Sequence, residues 1–595
     1  MKKALLVFLL PLSLLFLPLW ASAQEKPPTL TWFDAPNTFP IRHLGDWYVA
    51  MGWYAPSEIY GPFPEAEFDL GDETDFYLAT SPYDELATYV LRYKSERTYF
   101  WFPPDVGLDE AELARAAVRF DQEIQPFVEE TFGQALLKGI DGDLRLHVVH
   151  EPTLGYGAVG VFRPIDQCAR EICTGSNQRD TIYYALDWGG VNTDEHLTTL
   201  AHEYQHVLRY WRDGNERRWM NEGLSQLSEH LNGFAPEYAG GDNLQYFLEN
   251  PDVRLDAWAD YNSDPSLYYG SSYLLMIYLY ERLGLDFIQA LSASPYDGLP
   301  SIAQTLRAGG YTETLDSLYS DWLLANLLDD PFVGDGRYYY ATLRVPVQVA
   351  SVPLRAGEGA PQTYTRTMNQ YGANYLALEA GTYRLTFAGA ESVALVEDVA
   401  PFEGMGMWWS YNADSSVTHL TRRFDLRQVE SATLLFELWY QAEADLDWLS
   451  VQVSLDGGRK WQGLSGASLR PANAFIPVPH YTGQSGSWLH ESLDLSAFAG
   501  QDILLRFEYF TDGTLSLGGV LLDNIAIPEI GFFDDAESLA AGWQNDGFLR
   551  VGESVPQAWS LALVTRGKAP SVQFLLPMCI ISSKQLSACR VAVLF

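Results

Sequence analysis

Cysteine is scarce in this chain, four in 595 residues, too few to build a disulfide scaffold. Basic residues are scarce as well. Lys and Arg number 38 against 77 Asp and Glu, a formal net charge of -39. A surface this acidic is repelled by phosphate backbones, which excludes nucleic acid as a partner. It also disfavours anionic membrane surfaces and suits soluble or calcium-rich surroundings. Past the N-terminus no segment offers the roughly 20 apolar residues of a spanning helix, so no stable membrane span is expected. Apolar and aromatic residues are plentiful: 47% hydrophobic and 14% aromatic, with 18 Trp and 35 Tyr. Such a chain can fill large cores, which excludes wholesale disorder, and its length calls for about two to four domains.

The first residues read as an address. Lys2 and Lys3 precede an apolar stretch, Ala4 to Trp20, that Pro11 and Pro18 interrupt. Ala21-Ser22-Ala23 is a small-residue cleavage site before Gln24. This is the pattern of a secretory signal peptide over 1–23, and it predicts a secreted, extracellular protein. The prolines and the cleavage site argue against an anchor, and no Cys follows the run to carry a lipid. In an oxidising compartment Cys168 and Cys173 can close a small loop; a zinc knuckle lacks partner ligands at the needed spacing.

Periodicity divides the rest. Residues 24–104, rich in Pro, Tyr, Trp and Asp, read as an irregular β-containing N-terminal region or a pro-region. From 105 to 335 helical spacing prevails, with helices expected over 110–132, 192–211, 217–231, 271–283 and 315–328 and strands over 144–149 and 181–186. After about residue 330 the period becomes two. Leu449, Val451, Val453 and Leu455 alternate with polar residues, as do Ile503, Leu505, Phe507 and Tyr509. We expect a β linker over 336–400, a half-buried β-sandwich over 401–530 and a partial second β unit over 531–595. Residues 571–595, with Cys579 and Cys589, contain no acid at all, a break in composition that points to a truncation or a reading-frame change.

The strongest chemical signal is His202-Glu203-Tyr204-Gln205-His206. Histidines at i and i+4 lie one turn apart on one side of a helix, so both imidazoles can reach one metal ion. Zinc favours neutral imidazole nitrogens, and the intervening Glu can serve as a base toward water. Leu197, Leu200, Ala201, Tyr204, Val207, Leu208 and Trp211 form an apolar stripe, and both histidines fall roughly opposite it at about 100° per residue. Asn192 and Glu195 have capping-box spacing. A turn at Asp213-Gly214-Asn215 lets a second helix return beside the first, bringing Glu222 as third ligand; Glu229, seven residues on, is the rival. A histidine six residues after His206 is ruled out as third ligand, because Arg212 stands there. The pattern points to a zinc hydrolase.

Leu200-Ala-His-Glu-Tyr-Gln-His206 followed by Trp219-Met-Asn-Glu-Gly-Leu-Ser225 resembles the gluzincin clan of zinc metallopeptidases, and within it the hyicolysin family of secreted bacterial peptidases. The resemblance spans roughly 120–328. It implies a zincin-type domain of mixed sheet and active-site helices, with His202, His206 and Glu222 as zinc ligands and Glu203 as catalytic base. The gap between His206 and Glu222 is shorter than in aminopeptidase and thermolysin relatives, and no amine-binding exopeptidase motif is evident. The resemblance therefore implies endopeptidase action on proteins or peptides. Tyr268-Tyr269-Gly270-Ser271 resembles the helix start where gluzincins place a transition-state tyrosine, Tyr268 as first choice and Tyr269 as second; aromatic packing is the alternative.

In the β-rich half, Val451-Gln-Val-Ser-Leu-Asp-Gly-Gly-Arg-Lys-Trp461, Asp494-Leu-Ser-Ala-Phe-Ala-Gly500 and Gly519-Val-Leu-Leu-Asp-Asn-Ile525 resemble the accessory domains of immune inhibitor A-type secreted metallopeptidases. This implies a jelly-roll or MAM-like sandwich, a module that often binds calcium through loop carboxylates. Asp445, Asp447 and Asp523 are the candidates, with ordinary turn acids as the alternative. The fold class expected is multidomain α+β, a zincin-type domain followed by an all-β jelly roll. The competing function is an extracellular binding protein with an inactive peptidase-like domain, whose sandwich grips glycans or proteins; the intact Glu203 argues against it.

Overall fold

The computed structural model describes residues 40–594 apart from 60, 62, 64–66, 81–84, 135–138, 156, 235–240, 260–262, 346, 355–362, 379–383, 474, 514, 516, 539–540, 566–569, 576–580 and 583–588. The expected signal peptide and Cys579 lie outside the described residues. Two short helices come first, α1 (Leu44–Ala50) and α2 (Pro56–Ile59). A mixed six-stranded sheet follows, in the order β1-β2-β3-β4-β6-β5. Its strands are β1 (Glu73–Tyr77), β2 (Leu86–Lys94), β3 (Thr98–Phe102), β4 (Leu146–Glu151), β5 (Gly160–Phe162) and β6 (Thr181–Ala185). β3–β4 and β4–β6 are parallel and the other pairs antiparallel.

The parallel step from β3 to β4 needs a crossover, and helices supply it. α3 (Glu110–Arg119) passes through a wider five-residue turn, Phe120–Ile124, into α4 (Gln125–Phe132), which ends at Gly133 with φ 106°. Alternation along the strands sorts the two faces. Phe100, Phe102, Leu146 and Val148 join the helix-side core, while Tyr99, Trp101 and Val149 pack on the other side with Phe76, Tyr89 and Tyr183. Because β1–β3 come from residues 73–102, the boundary expected at 104 cuts through one sheet; β3 is buried at every position and shows no period of two. Cys168 and Cys173 are joined in a disulfide.

α5 (Asp194–Arg212) lies over β5 and β6, α6 (Arg218–Leu231) returns beside it, and α7 (Asn243–Glu249) and α8 (Ser266–Leu283) pack behind. α8 begins five residues earlier than expected, since Pro265 sets its start and Ser266 opens the first turn.

The C-terminal half is a sandwich of two sheets. One runs 489–494, 433–441, 519–527, 407–409, 549–551, with 532–534 on the edge of 519–527; the other runs 462–463, 448–454, 502–510, 417–425, 544–546. Phe436, Leu438, Val451, Leu505, Phe507, Leu522 and Ile525 interdigitate between them. Residues 532–551 therefore complete this sandwich and do not start a second β unit, because strands 544–546 and 549–551 pair with 417–425 and 407–409. Strands 560–565, 571–575 and 589–594 instead form a sheet with 373–378 and 352–354, uniting the expected linker with the tail. Tyr375, Ala562 and Val564 of that sheet extend the core of the helical domain.

The two halves interlock. Ile41 bridges Ser416, and Arg42 N–H donates to Ser415 O at 2.8 Å. Trp47 of α1 packs on Trp448 and Phe510 and donates Nε1–H to the buried Glu508 at 2.7 Å. From the α5–α6 turn, Asn215 Nδ2 donates to Ser416 Oγ at 3.1 Å and Arg217 Nη1 to Asn412 O at 3.0 Å, its guanidinium 5.1 Å from the Tyr411 ring.

Candidate metal centre

α5 is capped by Thr193, whose hydroxyl accepts from His196 N–H at 3.1 Å. The capping box expected at Asn192 and Glu195 does not form. Asn192 occupies the left-handed region (φ 61°) and donates through Nδ2 to Glu112 at 2.7 Å, which hands the capping role to the next residue. Leu197, Leu200, Ala201, Tyr204, Val207 and Leu208 are buried, and His202 and His206 face away from them with 15% and 12% of their side chains exposed. The turn to α6 is held from inside by Arg209. Its Nη2 meets Asp213 at 2.5 Å and Glu216 at 2.7 Å, and its Nη1 donates to Ser292 O at 2.8 Å.

This turn brings Glu222 against the two histidines. The Nε2 atoms of His202 and His206 are 3.1 Å apart, and Glu222 Oε2 is 3.3 Å from the first and 3.6 Å from the second. A four-coordinate zinc with bonds of about 2.0–2.1 Å has ligand–ligand edges of about 3.3 Å. Glu222 Oε2 is buried and has no hydrogen-bond partner among the described residues. The donor set and the orphaned oxygen thus fit a zinc ion, with His202, His206 and Glu222 holding it. Among the described residues this is the group of His, Cys, Asp or Glu whose ligand atoms lie within 4.8 Å of one another. Burial alone would raise Glu222; the facing imidazoles outweigh it and hold its carboxyl well below the usual range.

Glu229, the rival third ligand, lies on the other side of the His202 ring, with Oε1 2.5 Å from Nδ1. Glu203 is buried beside the triad. Burial raises its pKa, His202 and His206 pull it back, and the backbone N–H of Phe162 donates to it. β5 runs directly over this carboxylate. A Cβ on Gly160 would come within 2.8 Å of Glu203 Oε1 and 2.4 Å of Thr199 Cγ2, so only glycine lets the strand approach so closely.

The two tyrosines separate. Tyr269 directs its hydroxyl at the Glu222 carboxylate, and burial, with Glu222 next, keeps that phenol protonated far above its ordinary range. Tyr268 packs its ring toward Trp258, at 5.8 Å, and the helix-side core. Tyr269 packs on the same Trp258 ring, at 4.8 Å, and neighbouring residues on a helix face about 100° apart.

The structure does not gather Asp445, Asp447 and Asp523. Asp445 pairs with Arg470 at 2.7 Å. Asp447, buried at the start of strand 448–454, accepts from Asp512 N–H at 2.8 Å, and burial pushes its pKa up to about 8. Asp523 lies in the opposite sheet, accepts from the N–H groups of Glu403 and Asn524, and is pushed up to about 7, chiefly by burial. The period-two pattern could not show that two sheets divide these acids, and the comparisons below lend calcium no support.

Sequence reasoning missed a buried histidine pair under α5. His150 Nε2 and His196 Nε2 are 3.0 Å apart; Asn192 N–H donates to His196 Nδ1 at 3.3 Å, and His150 Nδ1 reaches Trp101 O at 3.2 Å. A carbonyl can only accept and an amide can only donate, so the chain fixes both tautomers: His196 Nε2–H donates to His150 Nε2, and His150 Nδ1–H to Trp101 O. The available signal was a histidine, His196, on the apolar side of the helix.

Residues 390–553 match the family described as the immune inhibitor A-like MAM domain. The chain is 31% identical over 160 residues to the pre-pro-metalloprotease PrtV of Vibrio cholerae serotype O1, covering 26% of this chain and 17% of the relative. It is 35% identical over 159 residues to immune inhibitor A of Bacillus thuringiensis subsp. alesti, covering 26% and 22%. It is 25% identical over 210 residues to the neutral metalloprotease ShpI of Staphylococcus hyicus, covering 32% and 46%. The chain thus spans less than half the length of each of these relatives. No helix among the described residues is long and apolar enough to cross a membrane. This chain therefore carries an immune inhibitor A-like MAM domain and is similar to proteins named as metalloproteases.

Proposed function

We propose that the protein is a secreted, zinc-dependent metalloendopeptidase of gluzincin type, near the hyicolysin family, that hydrolyses peptide bonds in proteins or peptides. The observation that carries this reading is the triangle of His202 Nε2, His206 Nε2 and Glu222 Oε2, with sides of 3.1, 3.3 and 3.6 Å. The metalloprotease relatives support the general class.

A bound zinc ion supplies Lewis-acid polarisation of the scissile carbonyl and lowers the pKa of water. Glu203, held by the Phe162 N–H and raised by burial, takes the proton of the attacking water and passes it to the leaving amine. Tyr269, protonated and next to Glu222, donates to the oxyanion that develops on the carbonyl oxygen. The test uses purified protein on casein, with and without a chelator. Wild type clears casein and the chelator abolishes this. Glu203→Gln keeps bound zinc and loses the activity; clearing by Glu203→Gln, or by wild type in chelator, sinks the reading.

A further inference from the structure

Beside the metal centre stands a cation that the mechanism leaves unused. Arg218 is the first residue of α6, one turn before Glu222. Its Nε lies 3.7 Å from Glu222 Oε1, the oxygen that does not face the histidines. That separation is too long for a hydrogen bond, so the contact is a loose ion pair. The guanidinium sits over the Trp258 ring, 5.3 Å from its centroid, and the same ring packs edge-on against Tyr269. The Tyr269 hydroxyl is within electrostatic reach of both the guanidinium and Glu203. Arg218 thus stands on the side of the site where the carbonyl oxygen and the base meet the substrate. Its side chain is 44% exposed, against 10% for Glu222.

We propose that Arg218 selects substrates by gripping a carboxylate of the peptide near the scissile bond; the inference rests on the peptidase reading above. A guanidinium carries five N–H donors in a planar fork. Among the described residues Glu222 alone pairs with this one, through Nε and loosely. Acids outnumber bases 77 to 38 in the chain, so a cation this sparsely paired at the rim of the site is reserved for an outside partner. Trp258 holds the fork by cation–π attraction, which reduces the freedom lost when an anion arrives. A carboxylate fits the fork through two parallel N–H···O bonds. Two parts of a peptide offer one: an Asp or Glu side chain next to the bond that is cut, and the free C-terminus.

The test uses the full-length, zinc-loaded protein. The substrates are peptides of one sequence that carry Glu, Gln or Lys at either residue flanking the scissile bond, each with a free or an amidated C-terminus. The readout is the ratio of kcat/KM between acidic and neutral peptides for wild type, Arg218→Gln, Arg218→Lys and Arg218→Glu. The expected wild-type preference for the carboxylate is about 10- to 100-fold. It falls to near one in Arg218→Gln, is intermediate in Arg218→Lys, which keeps the charge without the fork, and turns toward the Lys peptide in Arg218→Glu. A preference that follows the Glu side chain assigns the grip to an internal acid; one that follows the free terminus assigns it to the C-terminal carboxylate. A wild-type ratio near one in both series overturns the proposal. So does an equal loss on all peptides in Arg218→Gln, which would mean that Arg218 acts only through Glu222. Should the variants fail to fold, wild type decides through salt: an ion-pair preference shrinks between about 0.05 and 0.5 M sodium chloride, and a preference that salt leaves untouched overturns the proposal. Wild type that cleaves none of the peptides refutes the peptidase reading and this inference with it, whereas cleavage of all of them at one rate refutes the role of Arg218 alone.

Discussion

The buried pair His150–His196 predicts an acid-sensitive fold. Both rings are fully buried, and burial lowers His196 from 6.5 to about 3. His150 is lowered well below its usual value by burial and then by the neighbouring ring. Each is neutral in the folded protein, and one added proton would set N–H against N–H between them. The unfolded chain takes up protons below about pH 6.5 and the folded chain does not, so stability falls with pH from there down to about 3. Between pH 6.5 and 4.5 His196 alone costs about 2.3 kcal/mol, the loss steepening toward about 1.4 kcal/mol per unit as its unfolded counterpart becomes fully protonated. Buried acids work in the opposite sense. Glu151 is pushed up to about 7 and Asp180 to about 6, chiefly by burial, so each favours the fold more as pH falls toward the ordinary carboxylate range. A difference measurement cancels them. Urea unfolding of wild type and His196→Asn, each at several pH values, should show wild type losing its advantage by roughly 2 kcal/mol between pH 6.5 and 4.5. If the difference between the two proteins stays constant across that interval, the pair does not titrate as argued.

Other outcomes follow from the same geometry. Arg209→Ala leaves Asp213 and Glu216 buried without their cation and should cost about 3–5 kcal/mol in urea unfolding; wild-type stability would mean the turn between α5 and α6 is held by something else. Tyr269→Phe should lower kcat on a peptide substrate by about a hundredfold with little change in KM, while Tyr268→Phe stays close to wild type; equal losses would remove the distinction drawn between them. Trp47→Ala empties a buried aromatic site and takes one donor from Glu508, which should cost about 3–5 kcal/mol and lower the thermal midpoint; an unchanged midpoint would show that α1 does not brace the sandwich.

The elements that were legible in the sequence share one property: their signal is local. α5 and α6 announce themselves through 3.6-residue periodicity, and His202, Glu203, His206 and Glu222 through spacing along those two helices. Strands 448–454 and 502–510 do so through alternation of apolar and polar residues. What escaped depends on distant partners. β1–β3 look irregular alone and become a sheet only against β4. Strands 544–546 and 549–551 are three residues each, too short for a period, and are defined by pairing with 417–425 and 407–409. Tyr268 and Tyr269 are adjacent, so spacing alone could not show that Tyr269 meets Glu222. His150 and His196 are 46 positions apart and meet only when α5 lies on β4.

The loop 411–416 touches both the incoming strip at Ile41–Arg42 and the turn that joins the two histidine- and glutamate-bearing helices. The β-rich half is consequently a wall of the helical domain that bears His202, His206 and Glu222, and not cargo strung behind it. An excised fragment ending before residue 400 would leave Arg217 and Asn215 without their acceptors and Trp47 without a seat. Chimeras that graft this module onto another helical domain, or this helical domain onto another module, must carry the strip, the loop and the turn as one joint.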